Sequence, residues 1–471
     1  MSSYVKSIEA TGIYGRFDMT MEFEPGVNVV YGKNGTGKTT LVHILANALN
    51  GEFARFAFLI FESIQVQLDD TMIRLLKQMK KGQEQIQVKV DNKVILELPV
   101  QAIREFAADP RSRRTVSARQ LRLFEEMDLS APKLRQLLEE YEHLGVTEPV
   151  LPAAYFPAFR TMIDAWVSAQ QQQERKHGPD TWTAFATRSA RRWFGRFVPS
   201  VNYPSLLEIE QRLTDEIHQA RLTIGRADRE LLSKAFLEIF ASLSEYPKLD
   251  SEQPEAILGR IKILFDRLEH SPLQEESMLV TQVYSELRKS IHEPHFARES
   301  ERTAVRVLNV YHDLLEKIVE VQEKSFAGIQ RYLESVNDFF EGKRLVVDPS
   351  IPRYRRGAVG IGFDDQTSTI GLRALSSGER QIVTLVYAAT HMSEQRVVLI
   401  DEPEISLHVD WQRQLLRKMS EQIGERQIIA CTHSPVIGAD YEDRQKELEL
   451  KPTENPLIIT DNIDFEEELP F

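Results

Sequence analysis

Alternating hydrophobic and polar positions predict strands in the first part of the chain. The alternation runs from Tyr4 to Ile8 and from Phe17 to Phe23, and it returns from Ile86 to Val90 and from Val94 to Leu98. A period of two turns one face of each strand toward a core and the other toward solvent. We therefore expect an antiparallel sheet here, with the last two segments forming a hairpin around Asp91-Asn92-Lys93.

The middle of the chain changes to the three- and four-residue spacing of amphipathic helices. One apolar stripe follows 304–340, and Leu206 to Phe240 is a suitable antiparallel partner; the stripe comprises Val305, Leu308, Leu315, Val319, Phe326, Ile329, Leu333, Val336 and Phe340. A packed helical domain is favoured over a free coiled coil, which needs sustained heptads. A second helical insertion is expected at about 101–147.

Three largely apolar runs are typical of buried parallel strands, and each is followed by residues that can carry chemistry. Val27 to Tyr31 precedes a glycine loop, Arg396 to Ile400 precedes Asp401 and Glu402, and Gln427 to Cys431 precedes Thr432-His433-Ser434-Pro435. Since ligands bind at the carboxyl ends of such strands, the glycine loop and the acidic pair are expected to belong to one active site, together with Leu375 to Arg380.

The glycine loop fits the phosphate-binding pattern G-x-x-x-x-G-K-[ST] from Gly32 to Thr39, with a strand before it and Leu41 to Ala46 as a helix after it. A lone match can be an ordinary glycine turn, but two further motifs in the right order argue against that. Lys38 is expected to bind the β and γ phosphates and Thr39 to ligate Mg²⁺. The nucleotide-binding residues predicted in this loop are Asn34, Gly35, Thr36, Gly37, Lys38, Thr39 and Thr40.

The two carboxylates after the second run have separate expected roles. Asp401 is the second candidate for holding Mg²⁺, through water, and Glu402 can orient and deprotonate an attacking water. The alternative is a solvated strand end. Pro403 and the residues after it argue against that alternative, because they continue a known pattern.

The chain resembles the ABC-type ATPases of the SMC, RecF and OLD kind in four separated stretches. Leu375 to Gln381 is similar to their signature motif, although Ser377 stands where glycine is more usual. The resemblance implies that Ser376, Gly378 and Glu379 contact the nucleotide held by another subunit. Ser406-Leu407-His408 resembles the loop that crosses the dimer interface. His433 lies in a segment similar to the switch histidine and would sense the γ-phosphate.

The segment from Asp401 to Gln412, together with the lack of a long coiled coil, narrows the resemblance to the compact OLD-type ATPases of bacterial anti-phage defence, such as those of the PARIS and Septu systems. It implies an α/β fold, an ABC-type P-loop ATPase head with a mixed sheet, an antiparallel subdomain and a helical insertion. It also implies ATP and Mg²⁺ as cofactors and a homo-oligomer. A head-to-tail dimer is the minimum, and a larger ring stays open.

A separate effector protein is the expected partner, because too few residues follow His433 for the nuclease domain that OLD nucleases carry there. The effector is expected to be a nuclease, and a phage-encoded molecule is a candidate trigger. A RecF-like DNA-binding repair ATPase is the alternative function. An ABC transporter subunit is disfavoured by the long separation of Thr39 and Leu375.

Arg160 ends a stretch, from Ala153, that resembles a strand and proline-arginine turn of these compact ATPases. A nucleotide-facing role and a structural role are equally consistent with it. The glutamine that would couple Mg²⁺ to the interface cannot be placed by spacing. Gln65 and Gln67 are weak candidates, because both alternate within a probable strand, Ser63 to Leu68.

Composition adds limits. A formal charge of −13 over 471 residues argues against a surface wholly adapted to nucleic acid, and Cys431 is the single cysteine. No apolar run approaches the ~20 residues of a membrane span, so we expect no membrane contact and a cytoplasmic location. Nucleic-acid binding stays open because of three basic clusters: Arg111, Arg113 and Arg114; Arg188, Arg191, Arg192 and Arg196; and Arg353, Arg355 and Arg356.

These patterns suggest three domains. Residues 1–165 would form the N-terminal half of the ATPase head, 166–343 the helical domain, and 344–471 the C-terminal half of the head with an acidic tail.

Overall fold

The structure, a computed structural model, describes residues 4–80, 82–108, 148–163, 179–244, 253–269, 298–347, 359–363, 369–390, 392–393 and 395–453. The chain divides into two compact units. The first combines Met1–Ser205 with Ser376–Phe471, and the second is Leu206–Leu375. Both divisions lie further along the chain than the expected boundaries at 165/166 and 343/344. Most of the helical insertion expected at 101–147 lies outside the described residues.

A five-stranded parallel sheet forms the centre of the first unit. Its order is β13-β3-β12-β11-β8, and every pairing is parallel. The strands are β3 (Gly26–Tyr31), β8 (Ala153–Phe156), β11 (Val397–Asp401), β12 (Gln427–Thr432) and β13 (Gln445–Glu447). In this register Asp401 pairs with Cys431, and Thr432 pairs with Tyr31. The runs before the glycine loop and before Asp401 therefore end at one edge of the sheet, as predicted, and the run before Thr432 ends there too.

A seven-stranded antiparallel sheet is the other sheet of this unit, in the order β14-β2-β1-β4-β5-β6-β7. The strands are β1 (Val5–Ile13), β2 (Phe17–Glu22), β4 (Ser63–Leu68), β5 (Met72–Lys80), β6 (Gln83–Val90), β7 (Lys93–Pro99) and β14 (Lys451–Pro452). The predicted hairpin is confirmed, since β6 pairs with β7. Asp91 and Asn92 turn it with φ angles of 50° and 64°, a left-handed pair that suits a two-residue hairpin.

One buried side chain joins the two sheets. Gln427 is 1% exposed on β12, accepts a hydrogen bond from the Val5 amide at 2.9 Å, and donates to the carbonyls of Val5 and Glu24, both at 2.9 Å. Each buried polar group therefore has a partner, as a buried amide requires. The contact fastens β1 to the parallel sheet.

Five α-helices are described in the first unit. They are α1 (Lys38–Leu49), α2 (Val100–Ala108), α3 (Pro179–Phe194), α7 (Ser377–Ala389) and α8 (Val409–Ile423). Arg191 on α3 pairs with Glu52 at 2.6 Å, and both side chains are buried. Asn202 accepts a hydrogen bond from Tyr155 of β8 at 2.8 Å. These contacts explain why residues up to 205 belong to the first unit.

The second unit is a packed helical domain. It contains α4 (Leu206–Ser244), α5 (Pro254–Glu269), α6 (Arg298–Asn337) and a two-stranded sheet of β9 (Lys343–Val347) and β10 (Val359–Phe363). The apolar stripe predicted on α6 is buried against α4 and α5. A cluster between α5 and α6 includes Ile257, Ile261, Phe265, Val305 and Leu308. No helix among the described residues is long and apolar enough to cross a membrane.

Candidate functional site

The phosphate-loop candidate has the geometry of a compact anion cradle. Lys38, the first residue of α1, is 5% exposed, and its ammonium donates to the carbonyls of Gly32 and Lys33 at 2.8 and 2.9 Å. Gly35 and Gly37 both have φ angles of 82°, a region that favours glycine. Burial lowers the pKa of Lys38. A negatively charged ligand would offset that desolvation, so the loop is built to take one.

Thr39 and Asp401 meet where a cation could bind. The Thr39 hydroxyl donates to Oδ2 of Asp401 at 2.9 Å. Asp401 is 1% exposed, and burial raises its pKa from 3.8 to about 6, although the Thr39 bond opposes that rise. Oδ1 is buried and finds no hydrogen-bond partner within the described part of the chain. Hard oxygen donors and an orphaned carboxylate oxygen suit Mg²⁺, so these two residues fit that ion.

Glu402 directly follows the last residue of β11 and leaves the extended conformation of that strand. Its φ angle is 49°, a left-handed conformation that costs about 1–2 kcal/mol in a residue with a Cβ. The Glu402 amide still donates to the Cys431 carbonyl at 2.8 Å, so the residue stays anchored to β12. Its Oε1 lies 3.5 Å from Nε2 of His433, and both side chains are about one-third exposed. The two predicted catalytic side chains are therefore adjacent and reachable by water.

Glu404 holds the histidine segment, a role that the sequence did not reveal. Its Oε1 accepts from the Thr432 hydroxyl at 2.8 Å and from the amides of His433 and Ser434 at 2.8 and 3.0 Å. Gln412 supports the same segment by accepting from the Ser434 hydroxyl at 3.0 Å. Three hydrogen bonds to one carboxylate oxygen fix the backbone beside His433. The one feature of the sequence that could have indicated this role is the position of Glu404, two residues after Glu402.

The signature-like segment begins α7 with a reciprocal cap. Ser376 is the N-cap residue, its hydroxyl accepts from the Glu379 amide at 3.5 Å, and the Glu379 carboxylate accepts from the Ser376 amide at 2.8 Å. This capping box satisfies two N-terminal amides. Glu379, predicted to contact nucleotide, is therefore engaged with its own helix. Ser376 and Ser377 are exposed.

Gly378 allows α7 to approach the loop after the acidic pair. A Cβ at this position would lie 2.9 Å from the Ser406 carbonyl oxygen and 3.4 Å from the Trp411 ring. Any side chain would collide with that backbone. The glycine predicted as a contact to another subunit thus also serves close packing within one chain.

Arg160 does not lie open to a ligand. It is 1% exposed, and its guanidinium donates to the carbonyls of Asp401, Glu402 and Pro403 at 3.0 to 3.2 Å. Of the two roles open at the start, the contacts favour the structural one. The arginine lies behind the acidic pair and holds its backbone.

The glutamine candidates are engaged elsewhere. Gln65 accepts from Arg74 of β5 at 2.7 and 3.1 Å, and Gln67 donates to the Leu68 carbonyl at 2.8 Å. These hydrogen bonds hold both side chains within the antiparallel sheet. They give no support to either residue as the glutamine that would couple Mg²⁺ to the interface.

One basic cluster is described, and it is only partly a surface feature. Arg191 is 4% exposed and donates to Glu52 and to the Val198 carbonyl, so it stabilises the fold. Arg188 and Arg192 are exposed, as are Trp193 and Phe194 at 41% and 42%. The clusters at 111–114 and 353–356 and the acidic tail from 454 lie outside the described residues.

Comparison with known proteins gives a family match and weaker likenesses. The family described as "AAA ATPase domain" matches residues 14–437, which include every site residue named above. The "Retron Ec83 probable ATPase" of Escherichia coli is 23% identical over 225 residues, 45% of this chain. That match covers 37% of the retron protein, so the chain spans little more than a third of the relative's length.

Two solved structures of SMC heads are also similar. The Pyrococcus furiosus Smc head with an extended coiled coil, bound to the C-terminal domain of ScpA, is 14% identical with a TM-score of 0.38, over 96% of both chains. The Pyrococcus yayanosii Smc head with a coiled coil and joint is 14% identical with a TM-score of 0.36, over 96% of this chain and 97% of that one.

Proposed function

The chain belongs to the AAA ATPase domain family and is an ATPase, and on that premise we propose that two copies of it engage around Mg-ATP to control a separate effector protein. The observation that carries the catalytic part is the convergence of Lys38, Thr39, Asp401, Glu402 and His433 at one edge of the parallel sheet. Residues from three strand ends reach a common point there, as hydrolysis of a bound phosphate requires.

The proposed roles combine the contacts described above with the motif and the resemblance to ABC-type ATPases. Lys38 gives up its two carbonyl partners to bind the β and γ phosphates. Thr39 and Asp401 would hold Mg²⁺, which would neutralise charge at the phosphates when bound. Glu402 would accept the proton of the attacking water. His433, whose Nε2 lies 3.5 Å from Oε1 of Glu402, would sense the γ-phosphate, as the resemblance implies. Water reaches Glu402 because a third of its side chain is exposed.

The second copy is proposed because the signature-like helix start is presented to solvent. Ser376 and Ser377 are exposed at the N-terminus of α7, where the helix dipole favours an anion. In the resemblance to ABC-type ATPases this segment contacts the nucleotide of another subunit. We propose the same arrangement here, with Ser376 and Gly378 reaching the partner's ATP in a head-to-tail dimer.

The proposed context is bacterial anti-phage defence. The resemblance to compact OLD-type ATPases supports it, and the similarity to a retron ATPase agrees with it. The effector is proposed to be a separate nuclease. A phage-encoded trigger would change the engagement of the two ATPase heads, and that change would release or activate the nuclease. These finer assignments extend beyond the ATPase activity.

Affinity purification tests the effector part of the proposal. Tagged Glu402→Gln, which should bind ATP without hydrolysing it, is purified from cells that also express the neighbouring genes, and the co-purifying proteins and nucleic acid are quantified. A stoichiometric protein partner that is absent with Lys38→Ala supports the proposal. Recovery of nucleic acid without a protein partner contradicts it and favours a DNA-binding repair ATPase.

The repair ATPase is the second candidate because Arg188 and Arg192 are exposed near Trp193 and Phe194, a combination that can bind phosphates and stack on bases. The test is DNA binding at several salt concentrations by wild type and by Arg188→Glu with Arg192→Glu. Arg191 is unsuitable for substitution, because its loss would break a buried salt bridge. Steep salt dependence that the double variant removes would support this candidate.

A further inference from the structure

We propose that Arg160 is a positioning residue for hydrolysis: its guanidinium sets the backbone conformation of Glu402 and links that residue to α7 of the same chain. This inference rests on the proposed role of Glu402. It predicts that Arg160 affects the rate of the chemical step rather than the binding of ATP.

The arginine is fixed to its own strand end. It follows β8, the neighbour of β11 in the parallel sheet. Its amide and Nη1 both donate to the Pro157 carbonyl, at 3.2 and 3.0 Å. The turn therefore directs the Arg160 side chain toward the end of β11, and Arg160 is only 1% exposed there.

Three consecutive carbonyls accept from this one guanidinium. Nη1 donates to Asp401 at 3.0 Å, and Nη2 donates to Glu402 and Pro403 at 3.0 and 3.2 Å. Successive carbonyls of a regular strand point in opposite directions, so they cannot converge on one group. The left-handed φ of 49° at Glu402 breaks that alternation. The planar fork of arginine thus stabilises the conformation that turns Glu402 toward His433.

A further acceptor connects this group to the signature-like helix. Nη2 of Arg160 lies 3.4 Å from Oε1 of Gln381, which is 2% exposed on α7. The close approach of Gly378 to the Ser406 carbonyl gives a second contact between α7 and the segment after Glu402. Motion of α7 caused by a partner's nucleotide would therefore reach the general base of its own chain.

A phosphate-binding role is poorly compatible with these contacts. Arg160 is buried, and its hydrogen bonds named above all go to protein oxygens. Turning toward a phosphate would leave the three carbonyls of 401–403 without this donor. Lys38 already supplies a cation on the phosphate side of the loop.

The test measures kcat, KM and ATP affinity for Arg160→Lys, which keeps the charge but loses the fork. We expect kcat to fall by on the order of 10²-fold through misplacement of Glu402, with ATP affinity changed by less than about threefold. Arg191→Lys is the matched control, because it alters another buried arginine in the same unit. It should lower the melting temperature without this loss of kcat in the folded protein.

A double-mutant cycle identifies the residue through which Arg160 acts. If it works through Glu402, adding Arg160→Lys to Glu402→Gln should slow hydrolysis no further. Gln381→Leu, which removes only the link to α7, should give a smaller loss of kcat, and it serves as the test if Arg160→Lys fails to fold.

Three results would overturn the inference: full kcat in folded Arg160→Lys, a loss of ATP affinity as large as the loss of kcat, or additive effects with Glu402→Gln. Hydrolysis at the wild-type rate by Glu402→Gln alone would instead refute the proposed general base. The failure of the inference and that of the proposed function are therefore distinguishable.

Discussion

At the scale of single residues, the Asp401 carboxylate is the group whose surroundings most clearly anticipate a ligand. Burial raises its pKa to about 6, and one of its oxygens is buried without a partner among the described residues. Such a group is costly when it is ionised and alone. Mg²⁺ would compensate that cost, so stability and metal binding are expected to be linked to the same proton.

The first prediction concerns pH and stability. Since the pKa of Asp401 is about 6 in the folded protein and 3.8 is the ordinary value, ionisation is easier in the unfolded chain. Relative to Asp401→Asn, the metal-free wild type should therefore lose stability as pH rises from about 4 to 6, with little further change from this group above that. Asp401→Asn should be more stable by about 1–3 kcal/mol at pH 7.

Urea unfolding of both proteins at pH 4, 5, 6 and 7, without metal, measures how the difference in their free energies of unfolding changes with pH. Mg²⁺ with nucleotide should stabilise wild type more than Asp401→Asn, and the difference should shrink below pH 6 as the carboxyl becomes protonated. A wild type that gains stability relative to Asp401→Asn between pH 4 and 6 would contradict the account.

The second prediction separates binding from chemistry. Lys38→Ala should abolish ATP binding because it removes the ammonium held in the loop. Glu402→Gln should keep ATP binding and reduce hydrolysis by about 10²–10⁴-fold, the usual contribution of a general base. Fluorescent-nucleotide binding and phosphate release measure the two properties. Lys93→Ala, which changes an exposed lysine at the start of β7, is the control for loss of charge.

At the scale of elements, the ends of the parallel strands were predictable because each functional motif directly follows its strand in the sequence. A buried apolar run followed by glycines, carboxylates or Thr432-His433 has one placement in a parallel sheet. Arg160 and Glu404 were harder, because most of their partners are backbone groups that become neighbours only after β8, β11 and β12 align. Helix α5 was also missed as a separate element, although it turns the predicted helical hairpin into a packed domain.

The third prediction concerns the packing of α7 on the loop after β11. Gly378→Ala would place a Cβ 2.9 Å from the Ser406 carbonyl oxygen, so backbone must shift, at a cost of about 1–3 kcal/mol. Ser377→Ala, at the exposed neighbouring position, should stay within about 0.5 kcal/mol of wild type. Chemical denaturation of both variants measures the difference. Equal stability of the two would refute the packing role of Gly378.

At the scale of the whole molecule, residues far apart in sequence share one unit. The site combines segments near 38, 160, 401 and 433, and the signature-like segment near 376 belongs to the same unit. The helical unit, Leu206 to Leu375, is inserted in the chain between the segments near 160 and 376. The sequence predicted the insertion from its change of period. It could not give the boundaries, since α3 resembles the helical unit in pattern but is fixed to the first unit by Arg191 and Glu52.

The central claim is that the ATPase site is completed by a second copy, and a mixed ATPase assay tests it most directly. Lys38→Ala and Ser376→Arg are each expected to be inactive alone. A mixed dimer would contain one site with intact Lys38 from one chain and intact Ser376 from the other. We predict that mixing restores part of the wild-type rate, increasingly so as protein concentration rises. Full activity of Ser376→Arg alone, or a mixture as inactive as its components, would contradict the account.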